Sequence, residues 1–336
     1  MFSFIPDYLY LLIFGFILLI KGGDWFVDAA TSIAKRFHLP ELLIGATVVS
    51  IGTTLPEVMT SAIGAASGSG AMAYGNAIGS IICNTSLIAA ITIAIKPGKA
   101  DKRSLIFPVC FFFGAAAFYS ICAYLFGRFD LWMGIVLLVG FVVYMIINVM
   151  NMKKNPAPDA EEALECEIAE EMPAGGLVKD IGMLVISALV IAVGADLLVN
   201  NAIIVAEKLG VPQTIISLTV VALGTSLPEL VTAITSLMKG HGALSLGNII
   251  GANIFNLVLV SGSAITINPF DVPAEATFLG NNASLIFDLP LVFVVMGILT
   301  IPTIFRGKLS RWQGISLLSL YVAYCALQFV VLPNFA

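Results

Sequence analysis

Apolar residues along this chain come in long blocks separated by short polar stretches, as at 9–20, 104–126 and 131–150. A run of about 20 apolar residues at helical rise matches the hydrocarbon thickness of a bilayer. The pattern predicts ten spans, at about 8–34, 40–67, 71–95, 104–126 and 130–150, then 177–206, 212–238, 242–267, 283–304 and 312–332. The N-terminus lacks a basic flank and a small-residue cleavage site, so the first block reads as a retained span. The longest polar stretch, 151–176, carries Asp159, Glu161, Glu162, Glu165, Glu167, Glu170 and Glu171 with Pro156, Pro158 and Pro173. It reads as a hydrated tether, too short for a regulatory calcium-binding domain.

Basic residues orient the spans. With the N-terminus outside, the cytoplasmic loops hold Lys35, Arg36, Lys96, Lys99, Lys102, Arg103, Lys153, Lys154, Lys179, Lys239, Arg306, Lys308 and Arg311. The outer loops hold only Arg128 and Lys208. Both termini are therefore expected outside, with 151–176 cytoplasmic.

The two halves superpose on each other at a constant offset of 172 residues. Thr47-Val48-Val49-Ser50-Ile51-Gly52-Thr53-Thr54-Leu55-Pro56-Glu57 falls on Thr219-Val220-Val221-Ala222-Leu223-Gly224-Thr225-Ser226-Leu227-Pro228-Glu229. Gly75-Asn76-Ala77-Ile78-Gly79 falls on Gly247-Asn248-Ile249-Ile250-Gly251, and Asn84 on Asn256. Further on, Ser104-Leu105-Ile106-Phe107 matches Ser284-Leu285-Ile286-Phe287 at an offset of 180. An odd number of spans per copy inserts the second copy upside down, the inverted-repeat plan of secondary transporters. The expected fold is thus an all-α integral membrane protein of ten transmembrane helices in two inverted five-helix repeats. The first repeat is 1–150, the linker 151–176, and the second repeat 177–336.

The chemistry centres on Gly52-Thr53-Thr54-Leu55-Pro56-Glu57 and Gly224-Thr225-Ser226-Leu227-Pro228-Glu229, each in the middle of an apolar span. Pro56 and Pro228 each free a backbone carbonyl four residues back, on Gly52 and Gly224. Helices 2 and 7 are accordingly expected to be broken. In lipid a freed carbonyl needs a partner, and a cation can supply one. Hydroxyls of Thr53, Thr54, Thr225 and Ser226 add oxygen. An intramembrane glutamate costs at least a few kcal/mol, and Glu57 and Glu229 together balance one divalent ion. All the ligands in these segments are oxygen, which favours calcium or sodium over zinc or copper.

Asn76, Ser80 and Asn84 follow an i, i+4, i+8 spacing on one helix face, matched by Asn248, Ala252 and Asn256. Asn84 and Asn256 are expected in the ion cavity, and Asn76 and Asn248 either there or bracing the broken helices. Gly75 and Gly79 are expected to let helices approach closely. Asp24 is expected to pair locally with Lys21, and Asp288 to be interfacial.

Composition narrows the classes. The 336 residues are 59% hydrophobic and 11% charged, against about 25% charged in soluble domains. The cysteines Cys83, Cys110, Cys122, Cys166 and Cys325 form no CxxC pair, so no zinc or redox site is expected. No basic patch suggests nucleic acid. His38 and His241 lie at span ends, away from the motifs, which argues against an intramembrane hydrolase.

The paired G-T-[ST]-L-P-E and G-N-x-I-G-x segments resemble the cation/calcium antiporter superfamily, above all its prokaryotic sodium/calcium exchanger branch, and the resemblance covers nearly the whole chain. It implies a calcium site made by Glu57, Glu229 and the backbone carbonyls of Thr53 and Thr225. It implies sodium sites sharing those glutamates. One uses Thr54, Ser80 and the Ser50 carbonyl; the other uses Ser226 and the Ala222 carbonyl, with Asn84 and Asn256 at the centre. Two departures stand out: Ala252 where the family usually has a hydroxyl, and Ile81 where an asparagine is common. The implied function is calcium/sodium antiport by alternating access in an inner membrane, with the first and sixth spans sliding over an eight-helix core. Proton/calcium antiport is the alternative, and a cation channel a more distant one. No cofactor is implied. The expected partners are membrane lipid, Ca2+ and Na+ or H+, with a monomer as the expected state.

Overall fold

A computed structural model describes residues 6–154, 176–209, 222–274 and 277–328. Helix dominates, because in a bilayer only intra-segment hydrogen bonding satisfies an isolated apolar stretch. In chain order the helices are α1 (Asp7–Arg36), α2 (Glu41–Ala66), α3 (Gly70–Ile95), α4 (Lys102–Phe126), α5 (Leu131–Lys154) and α6 (Leu177–Lys208). They continue as α7 (Ala222–Thr225), α8 (Leu227–Met238), α9 (Gly242–Ile267), α10 (Ser284–Arg306) and α11 (Arg311–Ala326). Eight are long and apolar enough to cross a membrane; α8 is a shorter apolar helix, and α11 has 16 residues. The described helix ends fall within a few residues of the expected spans. The first part of the seventh span, the end of the tenth and most of the linker lie outside the described residues.

The molecule is apolar on its flanks and polar at its centre. Ile13, Phe14 and Phe16 of α1, Val139, Val142 and Ile146 of α5, Val185, Ile186 and Leu189 of α6, and Ile315 and Val322 of α11 are all exposed. The fully buried set includes Ser50, Glu57, Asn84, Glu229 and Asn256. That inversion suits a solvent of hydrocarbon, and the protein is a multi-pass membrane protein.

The connections sort onto two ends. At one, the 96–101 loop bonds the 307–310 loop (Ala100 N to Gly307 O, 3.0 Å; Leu309 N to Gly98 O, 2.8 Å). There too Arg36 pairs with Asp180 at 3.2 Å, and His241 Nδ1 lies 2.6 Å from Glu41 Oε1. At the other end β1 (Arg128–Phe129) pairs antiparallel with β2 (Phe270–Asp271), and Lys208 sits 4.0 Å over the Tyr8 ring. A second strand pair, β3 (Thr277–Phe278) with β4 (Asn281–Asn282), belongs to the longer loop before α10.

Helices α1 and α6 run antiparallel and touch backbone to backbone. A Cβ on Gly15 would lie 2.8 Å from the Gly194 carbonyl oxygen, and one on Gly194 2.9 Å from that of Gly15. Small residues at such a crossing gain van der Waals contact where lipid gives no hydrophobic drive.

Three expectations change. Helix α2 is not broken at its motif: it runs through Pro56 to Ala66, and its irregularity is a π-helical turn at Gly45–Val49. One proline removes one hydrogen bond, and the turns on either side carry the helix across. The break in the second copy is real, at Ser226 (φ −92°, ψ 7°), between α7 and α8. Asp24 does not depend on Lys21: Lys239, at the end of α8, donates to the Asp24 carbonyl (2.9 Å) and to Asp28 (2.7 Å), with the Asp24 carboxylate 3.6 Å away. Asp288, the last residue of the π-helical turn Ser284–Asp288, is buried and accepts from Tyr324 and Gln328 at 3.1 Å each.

Candidate ion-binding site

Glu57 lies on α2 one residue after Pro56, and Glu229 in the first turn of α8 one residue after Pro228. Both side chains are completely buried. They are near enough for their charges to repel each other, and the hydroxyls of Thr53 and Thr54 face Glu229. Neither carboxylate has a hydrogen-bond partner of normal geometry among the described residues, and neither forms an ion pair. Burying one unpaired carboxylate costs several kcal/mol. Two together are tolerable only with a cation or protons between them.

Other buried polar groups also have no hydrogen-bond partner of normal geometry among the described residues: Thr54 Oγ1, Ser226 Oγ, and both amide atoms of Asn84 and Asn256. Asn84 and Asn256 each open a π-helical turn, Asn84–Ala89 in α3 and Asn256–Val260 in α9. Such turns are rare and concentrate at functional sites. Ser261 Oγ closes the second one by donating to the Asn256 carbonyl at 3.1 Å. The turn at Asn84 packs on α8, the helix of Glu229, while the turn at Asn256 packs on α2, the helix of Glu57. Each half thus sets the turn that its asparagine opens against the other half's acidic helix.

Asn76 and Asn248 brace instead. Asn76 Nδ2 donates to the Glu57 carbonyl (3.1 Å) and Ser61 Oγ (2.8 Å). Asn248 Nδ2 donates to Thr232 Oγ1 (2.9 Å), and its Oδ1 lies 3.3 Å from the hydroxyls of both Ser50 and Thr53. Ser50 Oγ is also 2.7 Å from the Gly45 carbonyl, inside the π-helical turn of α2. These contacts depend on the close approach of α2 and α9. A Cβ on Gly247 would collide with the Leu42 carbonyl, and one on Gly251 with Ser50 and the Ala46 backbone. Gly75 and Gly79, expected to serve this way in the first copy, have no described residue within 4 Å of a Cβ position; the matching start of the seventh span lies outside the described residues.

Ser80 and Ala252 are both buried, at 4% and 0% exposure, so the hydroxyl present in one copy is missing from the other. Thr225 is half-buried, and Ala222 begins α7. Sequence reasoning missed Ser61 and Thr232, which anchor the bracing amides. It also took the neighbourhood to be free of sulfur: the Cys83 thiol meets the Ser226 hydroxyl. Helical spacing from Ser80 could have found it.

The model of the family described as "Sodium/calcium exchanger protein" matches residues 8–150 and 179–330. The sodium/calcium exchanger MaX1 of Methanosarcina acetivorans is 31% identical over 351 residues, covering 96% of this chain and 98% of the relative. The putative antiporter CaxA of Alkalimonas amylolytica is 33% identical, covering 94% of this chain and 96% of the relative. A solved structure of the sodium-calcium exchanger NCX_Mj superposes with a TM-score of 0.78 at 29% identity, covering 96% of this chain and 98% of that one.

Proposed function

The chain belongs to the sodium/calcium exchanger family, and on that premise we propose that it is a secondary antiporter exchanging calcium for sodium by alternating access. The observation that carries this reading is the pair of fully buried carboxylates, one from each half, with no ion pair and no hydrogen bond of normal geometry among the described residues. Glu57 and Glu229 hold the calcium ion with the carbonyls of Thr53 and Thr225. Sodium takes flanking positions that share the glutamates: Thr54, Ser80 and the Ser50 carbonyl on one side, Ser226 and the Ala222 carbonyl on the other. Asn84 and Asn256 line the centre. Because both ions need the same two carboxylates, sodium expels calcium by competition. The empty site does not cross readily, since two bare carboxylates would be buried together.

The chain is read as two inverted five-helix repeats in an inner membrane, with the termini outside and 151–176 cytoplasmic. The antiparallel packing of α1 on α6 and the two-ended sorting of the loops support that arrangement. The acidic stretch 151–176 lies almost wholly outside the described residues.

A second reading, proton/calcium antiport, is favoured by Ala252, which removes a side-chain oxygen from one sodium position. Everted vesicles separate the two: calcium uptake is measured under an imposed sodium gradient, then under a proton gradient alone. Uptake driven by sodium supports the first reading and uptake driven by pH alone the second; neither gradient driving uptake sinks both. Glu229→Gln is expected to abolish uptake, and a variant that transports like the parent would overturn the site assignment.

A further inference from the structure

Helices α1 and α6 are tied to each other at both ends. Arg36 of α1 meets Asp180 of α6 at 3.2 Å, and the Ser32 hydroxyl donates to the same carboxylate at 3.0 Å. At the far end Lys208 of α6 lies over the Tyr8 ring of α1. This pair packs on both acid-bearing segments. A Cβ on Gly52 of α2 would lie 3.1 Å from the ring of Phe26 of α1, and one on Gly23 of α1 would meet Val231 and Thr235 of α8. Gly52 precedes Glu57 on a helix that starts at the Lys239 end, and Val231 and Thr235 follow Glu229 on a helix that finishes there. Residues 23–28 of α1 therefore cover both helices on the Lys239 side of the acids. On the opposite side α6 is the cover: a Cβ on Gly224 of α7 would meet Val199.

The two covers are fastened differently. Lys239 donates to the Asp24 carbonyl at 2.9 Å and to Asp28 at 2.7 Å, with the Asp24 carboxylate 3.6 Å away, so one ammonium holds three oxygens of α1. The repeat offset of 172 puts Ser67 in the place of Lys239, Asp196 in that of Asp24 and Asn200 in that of Asp28. There Asn200 donates to Asp196 at 3.0 Å, and Ser67 donates to the Ile63 and Gly64 carbonyls at 2.7 and 3.1 Å. Each of these bonds stays within its own helix.

We propose that Lys239 is a positioning residue that pins α1 over the site and so biases the exchanger toward the state closed on the Lys239 face. The inference rests on the alternating-access reading given above. Opening on that face requires α1 to lift from α8, which breaks all three contacts of one ammonium, whereas the α6 cover lifts without such a loss. A site whose open state is only fractionally populated binds with its affinity reduced by that fraction. Calcium therefore binds less tightly from the Lys239 face, and removing the ammonium raises the open fraction there.

The test uses the full chain in right-side-out and everted membrane vesicles, as the parent and Lys239→Met. The face that carries Lys239 is first identified by labelling Lys99→Cys with a membrane-impermeant maleimide. Half-saturation of calcium–calcium exchange is measured from each face. The ratio of the Lys239-face value to the opposite value is expected to fall at least about threefold in Lys239→Met. A lysine that only stabilised the fold would change both faces alike. Independently, Thr235→Cys, beneath Gly23, is expected to react with an impermeant thiol reagent from the Lys239 face at least about threefold faster when Lys239→Met is added. A ratio that stays unchanged or rises overturns the proposal, as does an unchanged labelling rate; should Lys239→Met not fold, Asp28→Ala decides on the same terms. If the parent exchanges no calcium, the antiport reading fails, and the labelling rate alone decides whether Lys239 pins α1.

Discussion

Replacing Asn248 by alanine tests the bracing logic. The side chain is 1% exposed and touches both glutamate helices: its amide nitrogen reaches Thr232 on α8 at 2.9 Å, and its oxygen reaches Thr53 on α2 at 3.3 Å. Ser50 keeps the Gly45 carbonyl and the Asn248 main-chain carbonyl at 3.0 Å, so it is not orphaned. Thr232 still donates to the carbonyl of Pro228 at 2.9 Å. Three side-chain hydrogen bonds are lost; Ser50 keeps its other acceptors, so those to Thr232 and Thr53 carry the cost at about 1 kcal/mol each, and the cavity left by the amide adds to it. The expected destabilisation is therefore about 2–3 kcal/mol. Thr53 also loses the contact that sets its rotamer beside Glu229, so apparent calcium affinity should fall roughly five- to tenfold, or about 1–1.4 kcal/mol. Both are measurable on one preparation, by thermal unfolding in detergent and by calcium exchange in liposomes. If Asn248→Ala melts with the parent and keeps its calcium affinity, the bracing argument is wrong.

Three further outcomes follow from the same geometry. Gly247→Ala drives a methyl into the Leu42 backbone and should destabilise by about 1–3 kcal/mol or more, read as a lower unfolding temperature. Ala252→Ser restores a hydroxyl opposite Ser80 and should lower the sodium concentration for half-maximal exchange, provided sodium is the coupling ion. Asp101, which caps α4 outside its span, is partly buried, which opposes ionisation, but the Ser104 hydroxyl and the amides of Ser104 and Arg103 outweigh this and lower its pKa. Its contribution is thus full above the unfolded value near pH 3.9 and lost as pH falls through the lower folded value. Asp101→Asn should remove that acid limb from a stability–pH profile.

Much of this was legible in residue order, because lipid imposes simple rules. Span length follows from bilayer thickness, and charged residues buried in lipid have to serve a purpose, so the helices and Glu57 with Glu229 stand out unaided. What the order concealed was local and three-dimensional. Proline at position 56 suggested a break, yet neighbouring hydrogen bonds bridge it, whereas the same motif opens the chain at Ser226. Lys21 is the nearest cation to Asp24 in the chain, but Lys239 is the one that reaches it, 215 residues away. Gly247 and Gly251 read as small residues only until the backbone of α2 is placed against them. Cys83 reads as another small apolar residue until Ser226 is placed beside it.

The paired turns at Asn84 and Asn256 have a consequence for how the protein can change. A π-helical turn holds one residue more than an α-helical turn, and one residue is about 100° of helical phase. Everything after Asn84 in α3, and after Asn256 in α9, is rotated by that much relative to a regular helix. Deleting one residue from either stretch would let the helix heal into a regular, better-bonded form while turning everything after the asparagine by about 100°. Most helices are harmed by a lost residue because their packing faces shift. Here the lost residue would improve the helix and cost the site, so each site half is recorded as a counting irregularity that local stability alone would erase.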